Sequence, residues 1–187
     1  MDVILVRHGH DVRCSPLRPL SATGSMQARA AALWLAEQEP TELWSGTLAR
    51  AAGTAAVISQ VAGLPVRGDA RLNEIVNDAA AVLPPPRERA VWQFAEGAED
   101  WSSFCVRVAA FLGDLCAGAE GARRVVVVTH SGVFDAVHEV LCGSSGRVEM
   151  DVAHTGVTWW RYRPGSPAGT WLLRVHNSTA HLAGAAG

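Results

Sequence analysis

The sequence predicts an α/β fold, a three-layer α/β/α sandwich with a mainly parallel central sheet, as a single domain over residues 1–187. Two runs of β-branched and apolar residues, Val3–Val6 and Arg124–Thr129, have the continuous hydrophobicity of strands buried on both faces. Alanine-rich segments with helical spacing alternate with strand-like segments along the chain. No internal repeat and no linker of biased composition interrupts that alternation.

The first predicted unit is a strand followed by a helix. Val3–Val6 forms the strand, and Gly9 ends it. Ser21 is a typical N-cap for a helix that continues through Gln27–Leu35. Pro40 lies beyond the end of this helix, as expected of a residue that cannot continue it.

The second unit is shorter and is followed by an irregular stretch. Glu42–Ser45 is predicted to be a strand, and Leu48–Val61 a helix that Gly63 closes. Residues 76–98 are interpreted as a variable excursion, that is, a loop segment that covers the functional site of the protein. The three consecutive prolines at 84–86 are expected to exclude regular helix or sheet there.

The second half of the chain continues the alternation and ends in two strands. Helices are predicted at 100–115 and 133–141. Strands are predicted at 124–129, 157–162 and 170–175. A Pro-Gly-Ser-Pro turn at 164–167 separates the last two, which favours a late hairpin or adjacent strands.

Composition excludes several classes of function. A hydrophobic fraction of 49% and a net charge of −2 argue against a disordered or nucleic-acid-binding protein. All 16 basic residues are arginine, which excludes Schiff-base chemistry and a Walker-type phosphate loop, since both need lysine. The amino-terminal apolar run is too short for a signal peptide or a membrane span.

The cysteines indicate neither disulfides nor a metal site. The four of them form no CxxC pair and no zinc-ligand spacing. We therefore expect a reduced cytoplasmic protein that has no metal, no cofactor and no membrane partner. The sequence leaves a homodimer open.

Five residues supply what metal-free cleavage of a phosphate ester needs: cations for the phosphoryl oxygens, a nucleophile and a proton donor. They are Arg7, His8, Arg50, Glu74 and His130. The Arg-His pair and His130 each follow a buried strand, where ligands bind in open α/β sheets. Taken singly, Glu74 is better explained as a solvated surface carboxylate and Arg50 as an exposed helix residue. Spacing alone leaves open whether all five meet.

Several segments resemble the histidine phosphatase superfamily, also called phosphoglycerate mutase-like. Leu5-Val6-Arg7-His8-Gly9 resembles its signature, and the order of the other similar segments also matches, at 19–24, 45–55, 72–74, 127–133 and 177–182. The last of these is similar to a tail common in broad-specificity members. The resemblance covers essentially the whole chain and implies the same fold class as the alternation of strands and helices.

The resemblance implies a role for each of the five residues. His8 attacks phosphorus and becomes phosphohistidine, Glu74 protonates the leaving oxygen and then helps activate water, and the other three bind the phosphoryl oxygens. The candidate substrate-binding residues are Arg7, Arg50, His130, Ser131, His10 and Ser21. A hydrophobic wall of Trp92 and Trp101 over the leaving group is a further hypothesis, as is His154 at the pocket rim.

The sequence also departs from the family pattern. His10 stands where the family usually has glutamate or glutamine. Cys14 stands where mutases and many relatives have asparagine, and Ser131 stands where glycine is more usual. The short chain, which lacks lysine and that asparagine, favours hydrolysis of a small-molecule phosphate ester. The alternatives are a phosphoglycerate-type mutase or a phosphoprotein phosphatase of the same superfamily. A non-catalytic phospholigand-binding domain is disfavoured, because both His8 and Glu74 are present.

Overall fold

The computed structural model describes residues 1–75, 83–92, 99–118, 121–143, 147–165 and 169–183. Within these ranges the strands are β1 (Asp2–Arg7), β2 (Glu42–Ser45), β3 (Val66–Gly68), β4 (Arg124–Thr129), β5 (Val157–Arg163) and β6 (Thr170–Ser178). The helices are α1 (Ala22–Glu37), α2 (Ala49–Ala62), α3 (Pro86–Arg89), α4 (Trp101–Ala117) and α5 (Ser131–Cys142), with 3₁₀ turns at Ala70–Leu72 and Ala180–Leu182. No helix of the described ranges is long and apolar enough to cross a membrane.

The strands form one mixed sheet in the order β3-β2-β4-β1-β5-β6. The pairings β3-β2, β2-β4 and β4-β1 are parallel, and β5 and β6 add an antiparallel edge. The register of the two central strands places Arg7 beside Thr129, so β1 and β4 end side by side. The predicted mainly parallel sheet is confirmed, and the two late strands are adjacent, as expected.

Helices cover both faces of the sheet. Val3 and Leu5 pack in one core cluster with α4 and α5, whereas Ile4 and Val6 pack in another with α1 and α2. Successive residues of a strand face opposite sides, so a strand buried in both clusters must be apolar throughout. This explains the unbroken hydrophobic run of β1 and confirms the three-layer architecture.

Two features differ from the sequence prediction. The sequence analysis missed β3, whose three residues are all exposed. The prediction that the prolines at 84–86 exclude helix is wrong, since α3 begins at Pro86. Proline fits the first turn of a helix, where its missing N–H has no intrahelical partner to lose. The remaining parts of the predicted excursion, 76–82 and 93–98, lie outside the described residues.

A buried arginine fixes the described part of that excursion. Arg89 donates to the Pro84 carbonyl at 2.9 Å and lies 3.0 Å from the Asp135 carboxylate of α5. It also reaches Glu149 at 3.2 Å and stacks over the Trp101 ring at 4.9 Å. The side chains of Arg89 and Asp135 are both almost fully buried. These contacts hold α3 against α4 and α5.

We predict that Arg89→Met lowers the free energy of unfolding by about 3–5 kcal/mol, because it leaves the Asp135 carboxylate buried without its cation. The measurement is urea denaturation followed by circular dichroism. Arg67→Met is the matched control: Arg67 pairs with Glu42 on the surface, and we expect a loss of about 1 kcal/mol or less. Equally small losses for both variants would show that the buried pair does not hold the excursion.

Candidate active site

Three neighbouring parallel strands bring the candidate residues together at one edge of the sheet. His8 directly follows β1, and its backbone N–H donates to the Thr129 carbonyl at the end of β4 at 2.9 Å. His130 follows β4 as the N-cap of α5. Arg50 lies in the first turn of α2, just after β2. The carboxyl ends of parallel strands meet at one edge, so these side chains converge.

The ring of His8 is held in one orientation. Its Nδ1 lies 2.8 Å from the Gly9 carbonyl, an acceptor, so Nδ1 carries the proton. The other nitrogen, Nε2, accepts a hydrogen bond of 3.2 Å from Arg50 Nε. Only 4% of His8 is exposed. In the neutral ring the lone pair is on Nε2, and this atom becomes available for nucleophilic attack when Arg50 donates to another acceptor instead.

Burial and neighbouring cations keep the two histidines neutral. Burial lowers the pKa of His8 well below 6.5, and the charges of Arg50 and Arg7 lower it further. The pKa of His130 is lowered in the same way by burial, then by His8 and Arg50. Burial also lowers the pKa of Arg50 to about 10, at which the guanidinium remains a cation at neutral pH. The site thus combines fixed positive charge with two neutral imidazole rings.

Several polar atoms of the site have no hydrogen-bond partner among the described residues. They are both ring nitrogens of His130 and Nε of Arg7. His130 is fully buried, and Arg7 is otherwise held by donation from its guanidinium to the Val152 carbonyl. Buried polar groups are nearly always paired, and leaving one unpaired costs free energy. An anion bound beside His8 would satisfy such donors.

Glu74 lies at the start of α5, next to His130. The backbone N–H of Gly132 donates to Glu74 Oε2 at 3.1 Å, and Ser131 Oγ lies 3.5 Å from the same oxygen. A Cβ on Gly132 would come within 2.2 Å of Glu74 Oε1. Glycine is therefore required for this carboxylate to occupy its place. Ser131 contacts the acid, which places it at the site.

His10 and Ser21 lie at the outer end of the site. Ser21 caps α1 by accepting from the Gly24 N–H at 3.0 Å, and its Oγ is 2.8 Å from His10 Nδ1. His154 lies between His10 and His8, with ring centroids 5.3 Å and 5.4 Å away, and its Nδ1 donates to the His8 carbonyl at 3.1 Å. The structure therefore connects exposed His10 to His8 through His154.

Sequence reasoning missed one cation. Arg18 forms a 2.6 Å ion pair with the buried Asp11 carboxylate. After burial itself, the charge of Arg18 is the largest cause of the lowered pKa of Arg50, and it also lowers that of His130. Arg18 therefore lies close enough to add to the positive potential of the site. Arg18 lies in a loop, where no hydrophobic periodicity of the sequence predicts that it is close to the site.

The hypothesis of a tryptophan wall is wrong for Trp101. This residue belongs to the core cluster formed with α4 and α5, and its indole N–H donates to Glu139 at 2.9 Å. Trp92 is exposed, as is Cys14. The apolar periodicity of α4 explains Trp101 better than a role in binding.

Comparison with known proteins assigns this arrangement to a family. The model of the histidine phosphatase superfamily (branch 1) matches residues 3–175. No curated protein sequence matches the chain.

Solved structures with similar folds include three enzymes. A mycobacterial glucosyl-3-phosphoglycerate phosphatase is 26% identical, with a TM-score of 0.77 and coverage of 95% of this chain and 99% of the other. A phosphoserine phosphatase from Entamoeba histolytica is 22% identical, with a TM-score of 0.76 and coverage of 97% and 98%. A phosphoglycerate mutase from Bacillus anthracis is 18% identical, with a TM-score of 0.76 and coverage of 99% and 96%. The last two similarities show the fold alone.

We predict that His8 stays neutral as the pH falls through 6.5, because its lowered pKa favours the uncharged ring. The measurement is a titration of the histidine ring signals by NMR in phosphate-free buffer, with the His8 signal assigned by its loss in His8→Asn. A free histidine peptide in the same buffer is the control. A His8 midpoint at or above 6.5 would contradict the buried, cation-flanked environment.

Proposed function

The chain belongs to the histidine phosphatase superfamily, branch 1, and from this we propose that it is a phosphoric monoester hydrolase that cleaves a small-molecule phosphomonoester through a phosphohistidine at His8. One observation supports this most directly. The ring centroids of His8 and His130 are 5.0 Å apart, and His130 and Arg7 have buried polar nitrogens with no partner among the described residues. A phosphoryl group would accept from those donors while it presents phosphorus to Nε2.

In the first step of the proposed reaction, Arg7, Arg50 and His130 bind the phosphoryl oxygens. The lone pair of His8 Nε2 attacks phosphorus in line, and the ester P–O bond breaks. The departing oxygen takes a proton from the carboxyl group of Glu74. Fixed guanidinium charges stabilise the equatorial oxygens, a role that metal ions have in many other phosphatases, so the reaction needs no metal.

In the second step, water attacks the phosphohistidine. The Glu74 carboxylate accepts a proton from this water, the P–N bond breaks, and the bonding pair returns to Nε2. Throughout both steps the Nδ1–H of His8 keeps its hydrogen bond to the Gly9 carbonyl, which stabilises the positive charge that attack places on the ring. Inorganic phosphate then leaves, and the resting state is restored.

A small organic phosphate suits the site better than a mutase reaction. A mutase must retain a bisphosphate and return the phosphoryl group before water does, whereas this chain supplies no lysine for a second phosphate. The phosphatase that is 26% identical acts on a glucosyl-3-phosphoglycerate, which is a small organic phosphate. We therefore propose hydrolysis as the net reaction.

We predict that His8→Ala lowers the turnover of an aryl phosphate by roughly 10³-fold or more and abolishes the acid-labile phosphoenzyme, because the nucleophile is gone. Steady-state assays and rapid-quench labelling are run with a chelator throughout. His176→Ala is the control, since His176 lies on β6 and contacts Thr158. Normal turnover by His8→Ala, or wild-type activity that returns only with added metal, would refute the proposal.

Glu74→Gln tests the acid. Glutamine cannot protonate a leaving group, so we expect a loss of roughly 10²–10⁴-fold for alkyl phosphates and a smaller loss of phosphorylation by activated aryl phosphates. The measurement is the rate loss for each ester under conditions in which chemistry limits both. Equal losses would assign the proton to another group. Asp78, a carboxylate four residues further along the chain, lies outside the described residues.

A further inference from the structure

One face of α1 presents a stripe of exposed residues away from the core. Met26, Arg29, Leu33 and Glu37 recur at intervals of three or four positions, so they lie on one side of the helix. Met26 is 65% exposed and Leu33 52% exposed. The opposite side of the helix carries the buried residues, which are Gly24, Ala28, Ala31, Ala32 and Leu35.

The stripe borders an open groove of 640 Å³. Trp34, which is also on α1, and His181, from the 3₁₀ turn at Ala180–Leu182, line the groove as well, with their ring centroids 6.4 Å apart. The groove is distinct from the active site: none of the five residues proposed for catalysis lines it. Exposed apolar side chains gathered in a groove of this kind are typical of a surface that another molecule covers.

The charges on the stripe are arranged symmetrically. Arg29 lies four residues before Leu33, and Glu37 lies four residues after it. Each charge is therefore about 6 Å from Leu33 along the helix axis, in opposite directions. Neither forms an ion pair with another described residue, whereas eight arginines elsewhere in the described ranges do.

We propose that this face binds a second copy of the chain, with the two α1 helices antiparallel about a two-fold axis beside Leu33. The axis brings the two Leu33 side chains together at the centre of the contact. It also places Arg29 of each copy level with Glu37 of the other. The stripes of the two copies thereby form two equivalent ion pairs, one on each side of an apolar centre.

We identify the molecule that covers this face as a second copy of the chain because the stripe is complementary to itself. A two-fold contact uses the same patch on both subunits, so the patch must match its own rotated image. The stripe does so only when the helices run antiparallel, since a parallel pair would oppose arginine to arginine and glutamate to glutamate. The apolar residues supply attraction, and the charges set the direction of the helices.

The test uses two charge reversals that are harmless to the isolated chain, because both residues are exposed. Arg29→Glu creates two glutamate pairs in the homodimer, and Glu37→Arg creates two arginine pairs. We expect each variant to raise the dimer dissociation constant by roughly tenfold or more relative to the wild type. Sedimentation velocity over a concentration series measures this. Arg163→Glu, an exposed reversal at the end of β5, is the control and should leave the dimer unchanged.

Mixing the two variants gives the decisive result. In a heterodimer of Arg29→Glu with Glu37→Arg, both contacts again join opposite charges, so the mixture should form a dimer that neither variant forms alone. Native mass spectrometry identifies the heterodimer by its mass, and unchanged phosphatase activity per chain shows that both variants are folded. A monomeric wild type, a dimer that survives both reversals, or a mixture that stays monomeric would each overturn the proposal.

Discussion

Burial of positive charge at the carboxyl edge of the sheet is the constraint on which the proposed chemistry depends. Arg50 is 2% exposed and donates to the buried ring of His8. Beyond the effect of burial, Arg50 and Arg7 lower the pKa values of both His8 and His130, and Arg18 lowers that of His130. Buried cations cost free energy unless anions pair with them. Asp11 pairs with Arg18, and Glu74 is held by the start of α5. The remaining positive potential suits an anion, and together with burial, which has the larger effect, it lowers the pKa of His8.

The parallel arrangement of the strands brings the residues of the site together. Parallel pairing of β1 with β4 places His8 and His130 side by side, with ring centroids 5.0 Å apart, without a long or strained connection. Close packing then depends on glycine. A Cβ on Gly9 would meet the Gly24 carbonyl at 2.6 Å, and one on Gly24 would meet the His10 carbonyl at 2.0 Å. The signature segment can therefore lie against the start of α1 only because both positions lack side chains.

The sequence predicts the parts of the site that are local in the chain. The runs of β1 and β4 identify two buried strands, and their parallel arrangement implies that the histidines after them are neighbours. Arg50 and Glu74 have no such local signal: the chemistry of phosphate-ester cleavage calls for a cation and a proton donor, but no spacing in the chain shows that these two residues reach the histidines. Arg18 and His154 reach the site through loops, where Arg18 adopts a positive φ of 47° that no periodic pattern encodes. The sequence does not predict the burial of Arg89 either, because the partners of this residue come from other elements.

In the proposed mechanism, the Gly9 carbonyl holds the ring of His8 so that Nε2, and not Nδ1, attacks phosphorus. The most direct measurement is the position of the phosphoryl group in the trapped intermediate. Protein labelled with ¹⁵N in its histidine rings is incubated with an aryl phosphate, quenched in alkali, which preserves phosphohistidine, and studied by ³¹P and ¹⁵N NMR. The account predicts coupling of phosphorus to Nε2 of His8. A phosphoryl group on Nδ1, or on any residue other than His8, would contradict it.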